Sequence, residues 1–294
     1  MSKYSNYEYM DTELENFHNQ IHELYVVKNP STVDAFIKQL SDSINRVKYF
    51  ERISSREISS NRANPSSSLF DPLKAILYLK EIDFDEACWL AFLTIHFGES
   101  KNSNWKLTKT FYSGHNLGKL FAYSSIKNDI GLVQSWVDSV SNDKTLKLKF
   151  GNHRKYESLK NLPYVISSYY SWVDSNGGHE NLFKNNAITD SKELFKELYE
   201  KITIIRFGRL AKFDYLSLLY KTKIANILAD CCYIKGSTGP SSGAKKMFGA
   251  NYSDSELDSI AMKLADHLNI GYQEMEDALC NWQKSPEVYK PFRG

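Results

Sequence analysis

The stretch Cys232-Tyr-Ile-Lys-Gly-Ser-Thr-Gly-Pro-Ser-Ser-Gly-Ala-Lys-Lys-Met-Phe248 carries more chemical information than any other part of the chain. Ahead of the turn, Ile227, Leu228, Cys231, Cys232 and Ile234 form an apolar run that reads as the end of a helix. Gly236 to Pro240 reads as a tight turn, and a second helix restarts at Ser241. The outline is a helix-hairpin-helix over Leu228 to Phe248. Glycine permits positive φ and close approach, proline suits the first position of a helix, and the free N–H groups of a helix start hold a phosphate. A DNA or RNA backbone is a natural partner for Lys235 and for Gly236, Ser237, Thr238, Gly239 and Ser241. The same residues also describe an ordinary corner between helices, since glycine and proline punctuate any loop.

At 294 residues the chain is long enough for about two domains, or one large one, with a buried core. Its net charge of +2 excludes a polycation, so any nucleic-acid surface is a local patch. Two such patches are present. Between Lys144 and Pro163, Lys144, Lys147, Lys149, Arg154, Lys155 and Lys160 face one acid, Glu157; between Lys201 and Lys223, Lys201, Arg206, Arg209, Lys212, Lys221 and Lys223 face Asp214. Arg206, Arg209 and Lys212 are expected phosphate contacts, and a solvated helix face is the plainer reading of both runs. With 19 Tyr, 16 Phe and 5 Trp, most rings belong in the core and a minority are free to stack on bases.

Cys88, Cys231, Cys232 and Cys280 contain no CxxC pair and no histidine at zinc spacing, and read as buried thiols of a reducing compartment. The first residues lack a charged start followed by an apolar run, and no stretch of about 18 apolar residues occurs. A cytoplasmic protein without a membrane segment, and a monomer, is expected.

Apolar residues recur at spacings of three and four, so the fold is expected to be mostly α. Helices are predicted over Val33 to Phe50, from Asp71-Pro72, over Ala87 to Phe97 with its start at Asp83-Phe-Asp-Glu86, and over Ile130 to Val140, Leu159 to Val173, Ser191 to Ile205, Phe207 to Tyr220, Lys223 to Cys232, Ser241 to Phe248, Ser253 to Leu268 and Tyr272 to Gln283. Ser253-Asp-Ser-Glu256 is a capping box. Gly177-Gly178 marks a break, giving three predicted parts: an N-terminal extension over 1–69, a helical subdomain over 70–176 and the hairpin-containing subdomain over 177–294. His96 is expected at a helix C-terminus, where the macrodipole favours its protonated form. Tyr112-Ser-Gly-His115-Asn116-Leu-Gly118 reads as a loop first and a ligand contact second.

The blocks Phe70-Asp-Pro-Leu-Lys-Ala-Ile-Leu-Tyr78, Asp85-Glu-Ala-Cys-Trp-Leu-Ala-Phe-Leu-Thr-Ile-His-Phe-Gly98 and Gly236-Ser-Thr-Gly-Pro-Ser-Ser-Gly-Ala-Lys-Lys-Met-Phe-Gly249 together resemble the alpha-glutamyl/putrescinyl thymine pyrophosphorylase group, most closely its third clade, over about Phe70 to Gln283. That group is similar to helix-hairpin-helix base-excision DNA glycosylases, and includes enzymes that install or process hypermodified thymine in phage DNA. A defensive relative is similar to an enzyme that excises a glucosylated cytosine. The resemblance implies a helix-hairpin-helix DNA-glycosylase-like helical fold and no cofactor or metal. The implied partner is double-stranded phage DNA with modified bases, and the implied activity is excision of a flipped base as anti-phage defence. A transferase acting on a thymine-derived base, and a non-catalytic module that binds modified DNA, are the alternatives.

Two departures from the glycosylase pattern bear on the chemistry. The usual Gly-x-Gly is replaced by Gly236-x-x-Gly239, and the lysine that forms a Schiff base in bifunctional members is replaced by Ser241. The resemblance therefore implies base removal without strand cleavage. It places a catalytic carboxylate about twenty residues past the hairpin, where Asp258 is the first choice and Asp254 the second, each also open to a capping or solvated role. Asp214 and Asp277 are outsiders. A sugar-like appendage on the base needs hydrogen-bonding groups, for which His115, Asn116 and His153, with His96, are the candidates.

Overall fold

The structure, a computed structural model, describes residues 7, 9–143 and 145–291. Lys144, a member of the first basic run, lies outside the described residues. Among these residues there are 14 α-helices and no strand. In chain order they are α1 (Tyr9–Gln20), α2 (Pro30–Ser54), α3 (Pro72–Leu79), α4 (Phe84–Phe97), α5 (Lys106–Tyr112), α6 (Tyr123–Asn128), α7 (Gly131–Asn142), α8 (Leu162–Ser175), α9 (His179–Phe183), α10 (Ser191–Lys201), α11 (Arg209–Lys221), α12 (Gly239–Phe248), α13 (Asp254–His267) and α14 (Tyr272–Trp282). None of the described helices is long and apolar enough to cross a membrane.

Side-chain caps explain why several helices start where the sequence places them. Asp71 Oδ1 accepts the N–H groups of Leu73 and Lys74 at 3.2 and 3.3 Å, and Asp83 Oδ1 accepts that of Glu86 at 3.0 Å. At α13 the capping box is complete: Ser253 Oγ accepts from Glu256 N–H, and the Glu256 carboxylate accepts from Ser253 N–H at 2.8 Å. Each such cap contributes about 1 kcal/mol by satisfying donors that a helix start otherwise leaves open.

The chain divides into two compact units, the first built from the described residues of Met1–Arg52 and Leu228–Arg293, the second from Ile53–Ile227. The divisions thus fall near residues 52 and 227, and Gly177-Gly178 is a turn inside the second unit. In the second unit α3, α5, α6, α9 and α11 all pack on α4, whose Cys88, Trp89, Leu90, Phe92 and Leu93 are fully buried. Apolar residues on every side of α4 dictate this central place. Trp89 donates its Nε1–H to Phe121 O at 2.8 Å, and the Phe92 and Tyr169 rings stack with centroids 4.0 Å apart. Two carboxylates at the start of α4 serve as polar clamps. Buried Glu86 accepts from Tyr112 Oη and Tyr123 N–H, both at 2.7 Å, and Asp85 meets His179 Nδ1 at 2.7 Å while His179 Nε2 meets Tyr169 Oη at 2.7 Å.

In the first unit α12 lies on α13 and α14, and α13 also touches α1. Phe17, Phe36, Met247, Phe248, Leu264, Leu279 and Trp282 fill the core. Asp277 holds α2 to α14 by accepting from Arg46 and from Ser43 Oγ, the latter at 2.7 Å. The approach of α12 to α14 depends on two glycines one turn apart. A Cβ at Gly239 would stand 2.6 Å from Cys280 Sγ, and one at Gly243 would stand 2.4 Å from the backbone oxygen of Leu279.

The predicted helix over Lys223 to Cys232 is not formed, and residues 224–234 are irregular. The reason lies at the end of α11. Lys223 takes φ +58°, Ile224 N–H bonds to Leu219 O and Lys223 N–H to Tyr220 O, both at 2.9 Å. This pair of bonds is a Schellman stop, which turns the chain out of the helix. The apolar residues beyond it, among them Ile227, Cys232 and Ile234, are buried from an irregular backbone, so the segment imitates helical periodicity without helical φ and ψ. The hairpin therefore has its second helix, α12, and lacks its first.

Because the clash at Gly243 is with backbone, Gly243→Ala is expected to destabilise the protein by about 2 kcal/mol through overpacking, read as a lower urea midpoint with unchanged slope.

Candidate functional site

Residues 235–254 build a cleft in the first unit. Gly236, at φ +72°, turns the chain at a position that strains other residues, and Ser237 N–H bonds back to Ile234 O at 3.0 Å. Thr238 then leads into α12, with Pro240 in its first turn. Ser237 Oγ accepts the Ser241 N–H at 3.0 Å, so one donor of the helix start is already satisfied, and Pro240 has none to offer. The positive end of the helix dipole remains directed at the cleft.

The cleft is an open depression of about 510 Å³ lined by Ser237, Thr238, Ser241, Ser242, Lys245, Lys246 and Ala250. Ser241, Ser242, Lys245 and Lys246 share one face of α12 because they are separated by about one helical turn. Lys246 Nζ donates to Gln283 O at 2.7 Å, and Ser242 Oγ donates to Gln283 Oε1 at 3.3 Å. Asp254, the first residue of α13, accepts from Ser241 Oγ at 3.1 Å and lies 3.9 Å from Lys245 Nζ. The arrangement joins four hydroxyls, two ammonium groups and a helix N-terminus, with one carboxylate at its edge. It is suited to an anionic oxygen-rich group such as a phosphate.

Of the expected site residues, Lys235 and Gly236 are exposed on the turn, Ser237, Thr238 and Ser241 line the cleft, and Gly239 supports it from α12. Lys245 and Lys246 are additions: they were visible in the quoted stretch, and their spacing from Ser241 and Ser242 was the signal that places them on the same helix face. The two carboxylates separate. Asp254 is joined to the cleft, whereas Asp258 Oδ1 accepts the N–H of Cys232 at 2.9 Å and ties α13 to the irregular segment. Desolvation, with the charge of Asp258 next to it, pushes the Cys231 thiol up to about 12.

The remaining candidates belong to the second unit. Arg206 donates from Nε to Glu157 Oε2 at 2.8 Å and from Nη2 to Tyr156 O at 3.1 Å. Lys212 donates to Tyr199 O at 3.1 Å, and Arg209 stands over the Phe213 ring at 5.3 Å. Arg154, from the first basic run, is buried and donates to His96 O at 3.2 Å and Tyr156 Oη at 2.9 Å. His115 is half-buried beyond α5, Asn116 is exposed at φ +64°, and His153 is exposed on the turn that carries Arg154.

His96 corrects the expectation of a protonated cap. It does end α4, but it is buried against Phe92, Phe97 and Phe150. Burial, reinforced by the positive charges of Arg154 and Arg206, holds its pKa well below the ordinary histidine value. Desolvation and two guanidinium charges outweigh the partial charge of a helix end.

Two predictions follow from this geometry. A histidine kept neutral in the fold takes up its proton only on unfolding, so its contribution to stability is present above the unfolded pKa of about 6.5 and is lost as the pH falls below it. The loss of unfolding free energy between pH 7.5 and 5.5 should accordingly be smaller in His96→Gln than in the parent protein, measured by urea titration at both pH values. The carboxylates should differ in kind: Asp258→Asn lowers the melting temperature by several degrees because it weakens the charge-assisted bond to Cys232 N–H, while Asp254→Asn leaves the melting temperature within a degree or two and changes what the cleft binds.

Among the described residues, no group of three or more His, Cys, Asp or Glu is gathered to hold a metal ion. Comparisons with curated proteins and with solved structures return no match. The family model of the alpha-glutamyl/putrescinyl thymine pyrophosphorylases, clade 3, matches residues 31–294, a span that includes the cleft and both carboxylates. With this match over most of its length, the chain belongs to the alpha-glutamyl/putrescinyl thymine pyrophosphorylase family, clade 3.

Proposed function

We propose that the chain is a pyrophosphorylase-type enzyme that modifies a thymine-derived base in double-stranded phage DNA, and that the cleft at the start of α12 holds the phosphate groups of its substrate. The observation that carries this reading is the meeting, in one cleft, of Ser237, Thr238, Ser241 and Ser242 at the start of α12 with Lys245 and Lys246 from its last turn. The family name pairs thymine bearing an amine-type appendage with pyrophosphate chemistry. An exchange of that kind breaks one bond at the exocyclic carbon of thymine, to nitrogen or to oxygen, and forms the other. Pyrophosphate enters or leaves. The lysines, hydroxyls and helix dipole stabilise its charge, and Asp254, beside Lys245, is placed to attract the ammonium of an amine partner.

Base excision is the second reading, and Asp254 is the observation that favours it. Its carboxylate contacts Ser241, the residue standing where bifunctional glycosylases carry their amine, and a carboxylate there stabilises an oxocarbenium-like sugar. In that reading Asp254 replaces Asp258 as the catalytic acid, because Asp258 is engaged with Cys232 N–H. The flipped base would cost a few kcal/mol to extrude, offset by contacts to the backbone.

The two readings differ in product. The purified chain is incubated with phage DNA carrying modified thymine, with and without pyrophosphate and a soluble amine, and the digested nucleosides are weighed by mass spectrometry. An altered base in intact DNA is expected; free base with abasic sites would transfer the assignment to excision, and unchanged DNA under all conditions would overturn both. In equilibrium titrations with pyrophosphate, and with DNA over a series of salt concentrations, Lys245→Gln with Lys246→Gln should weaken pyrophosphate binding at least tenfold and lower the salt slope of DNA binding by about two, one for each lost phosphate contact.

A further inference from the structure

The second unit carries an exposed aromatic and cationic surface that the α12 cleft does not use. Tyr164 on α8 is 68% exposed, Tyr156 is 55% exposed and Ile205 is 49% exposed. They are linked through the structure. The Ile205 N–H donates to Ser168 Oγ at 2.9 Å, one helical turn beyond Tyr164, and the neighbouring Arg206 donates to Tyr156 O at 3.1 Å. Soluble proteins rarely leave large apolar side chains gathered at the surface without a partner for them.

The setting of these side chains identifies the partner. Lys155 and Lys160 flank Tyr156 in sequence and are both exposed, whereas the acid of this segment, Glu157, is buried and paired with Arg206 at 2.8 Å. The surface therefore presents cations without a matching exposed carboxylate from residues 145–164. Tyr156 is also tied to the buried Arg154. Its hydroxyl accepts from Arg154 Nη1 at 2.9 Å, and the Arg154 guanidinium stands 5.4 Å from its ring centre. Arg206, at φ +59°, holds a left-handed backbone next to Ile205, a conformation kept by its bonds to Glu157 and Tyr156. One face of Tyr156 is thus taken by Arg154 while the side chain stays more than half exposed, and exposed tyrosines accompanied by exposed lysines are the pattern that binds single-stranded nucleic acid without reading its sequence.

We propose that Tyr156 and Tyr164, with Lys155 and Lys160, form a stacking platform for a single-stranded DNA segment. Bases stack on the tyrosine rings and phosphates contact the lysines. The proposal deepens the reading of a DNA substrate by adding a contact for the strand that is unpaired when a base is exposed. It needs no reaction at the α12 cleft, so a binding test without chemistry separates its failure from failure of that reading.

Fluorescence anisotropy of the full chain with a labelled oligothymidylate of about 15 nucleotides provides the test, alongside a duplex of the same length. Tyr164→Ala is expected to weaken single-strand binding about tenfold, Tyr164→Phe to retain it, and Lys155→Gln with Lys160→Gln to reduce the salt slope by about one and a half. A thermal melt confirms that Tyr164→Ala, at an exposed position, is folded. Unchanged affinity in Tyr164→Ala overturns the proposal. So does preferential binding of the duplex with no effect of the tyrosine, and so does equal competition by polyglutamate, which would make the surface a general acidic-polymer site.

Discussion

The candidate site depends on how closely α12 approaches α14. With only hydrogens on Gly239 and Gly243, the α12 backbone comes against Cys280 and the backbone of Leu279, and the start of the helix is held rigidly above the core of the first unit. That contact fixes where Ser241, Ser242, Lys245 and Lys246 stand, because a helix presents its side chains as a set once its axis is placed. It also brings α12 within reach of Gln283, whose side chain and carbonyl hold Ser242 and Lys246. A cleft made of short hydroxyls and anchored lysines loses little freedom when an anion enters, which favours binding.

The second unit solves a different problem. An α-helix apolar on all sides must be surrounded, and α4 is surrounded by five helices. Its polar groups are then satisfied internally: Glu86 by Tyr112 and Tyr123, Asp85 by His179, the indole of Trp89 by a carbonyl. Burial raises the Glu86 pKa despite these bonds, since desolvation is the larger effect. The same accounting gathers Arg154, Glu157 and Arg206 into one paired group, which Tyr156 joins through its hydroxyl and its carbonyl while its side chain and that of Tyr164 stay exposed. The basic runs of the sequence are thus divided by the fold into charges that are matched within the protein and charges that face solvent.

Much of the helical architecture was legible in the residue order. Asp71, Asp83 and Ser253-x-x-Glu256 mark helix starts by a local hydrogen bond, and local bonds are readable from sequence because both partners lie within a few residues. The short helices α5, α6 and α9 carry too few turns for periodicity to reveal them. The segment after Lys223 misled for the opposite reason. Its apolar spacing suits a helix, but a lysine in the left-handed region gives no signature in sequence, and burial of Ile227, Cys232 and Ile234 is achieved by an irregular path.

The sequence by itself determined a mostly helical chain, the glycine-proline turn at 236–240, the helix that follows it and the capped start of α13, all consequences of interactions between near neighbours. Only the tertiary structure decided which carboxylate meets the cleft, that His96 is kept neutral, and which cations remain free to act. Asp254 and Asp258 lie one turn apart with comparable sequence signals, and their different partners, Ser241 and Cys232, are brought to them by packing across the unit. His96 is a helix-end histidine whose pKa is lowered first by burial and then by Arg154 and Arg206, residues distant in the chain. Electrostatics and desolvation act through space, so their outcome is not written in the spacing of residues along the chain.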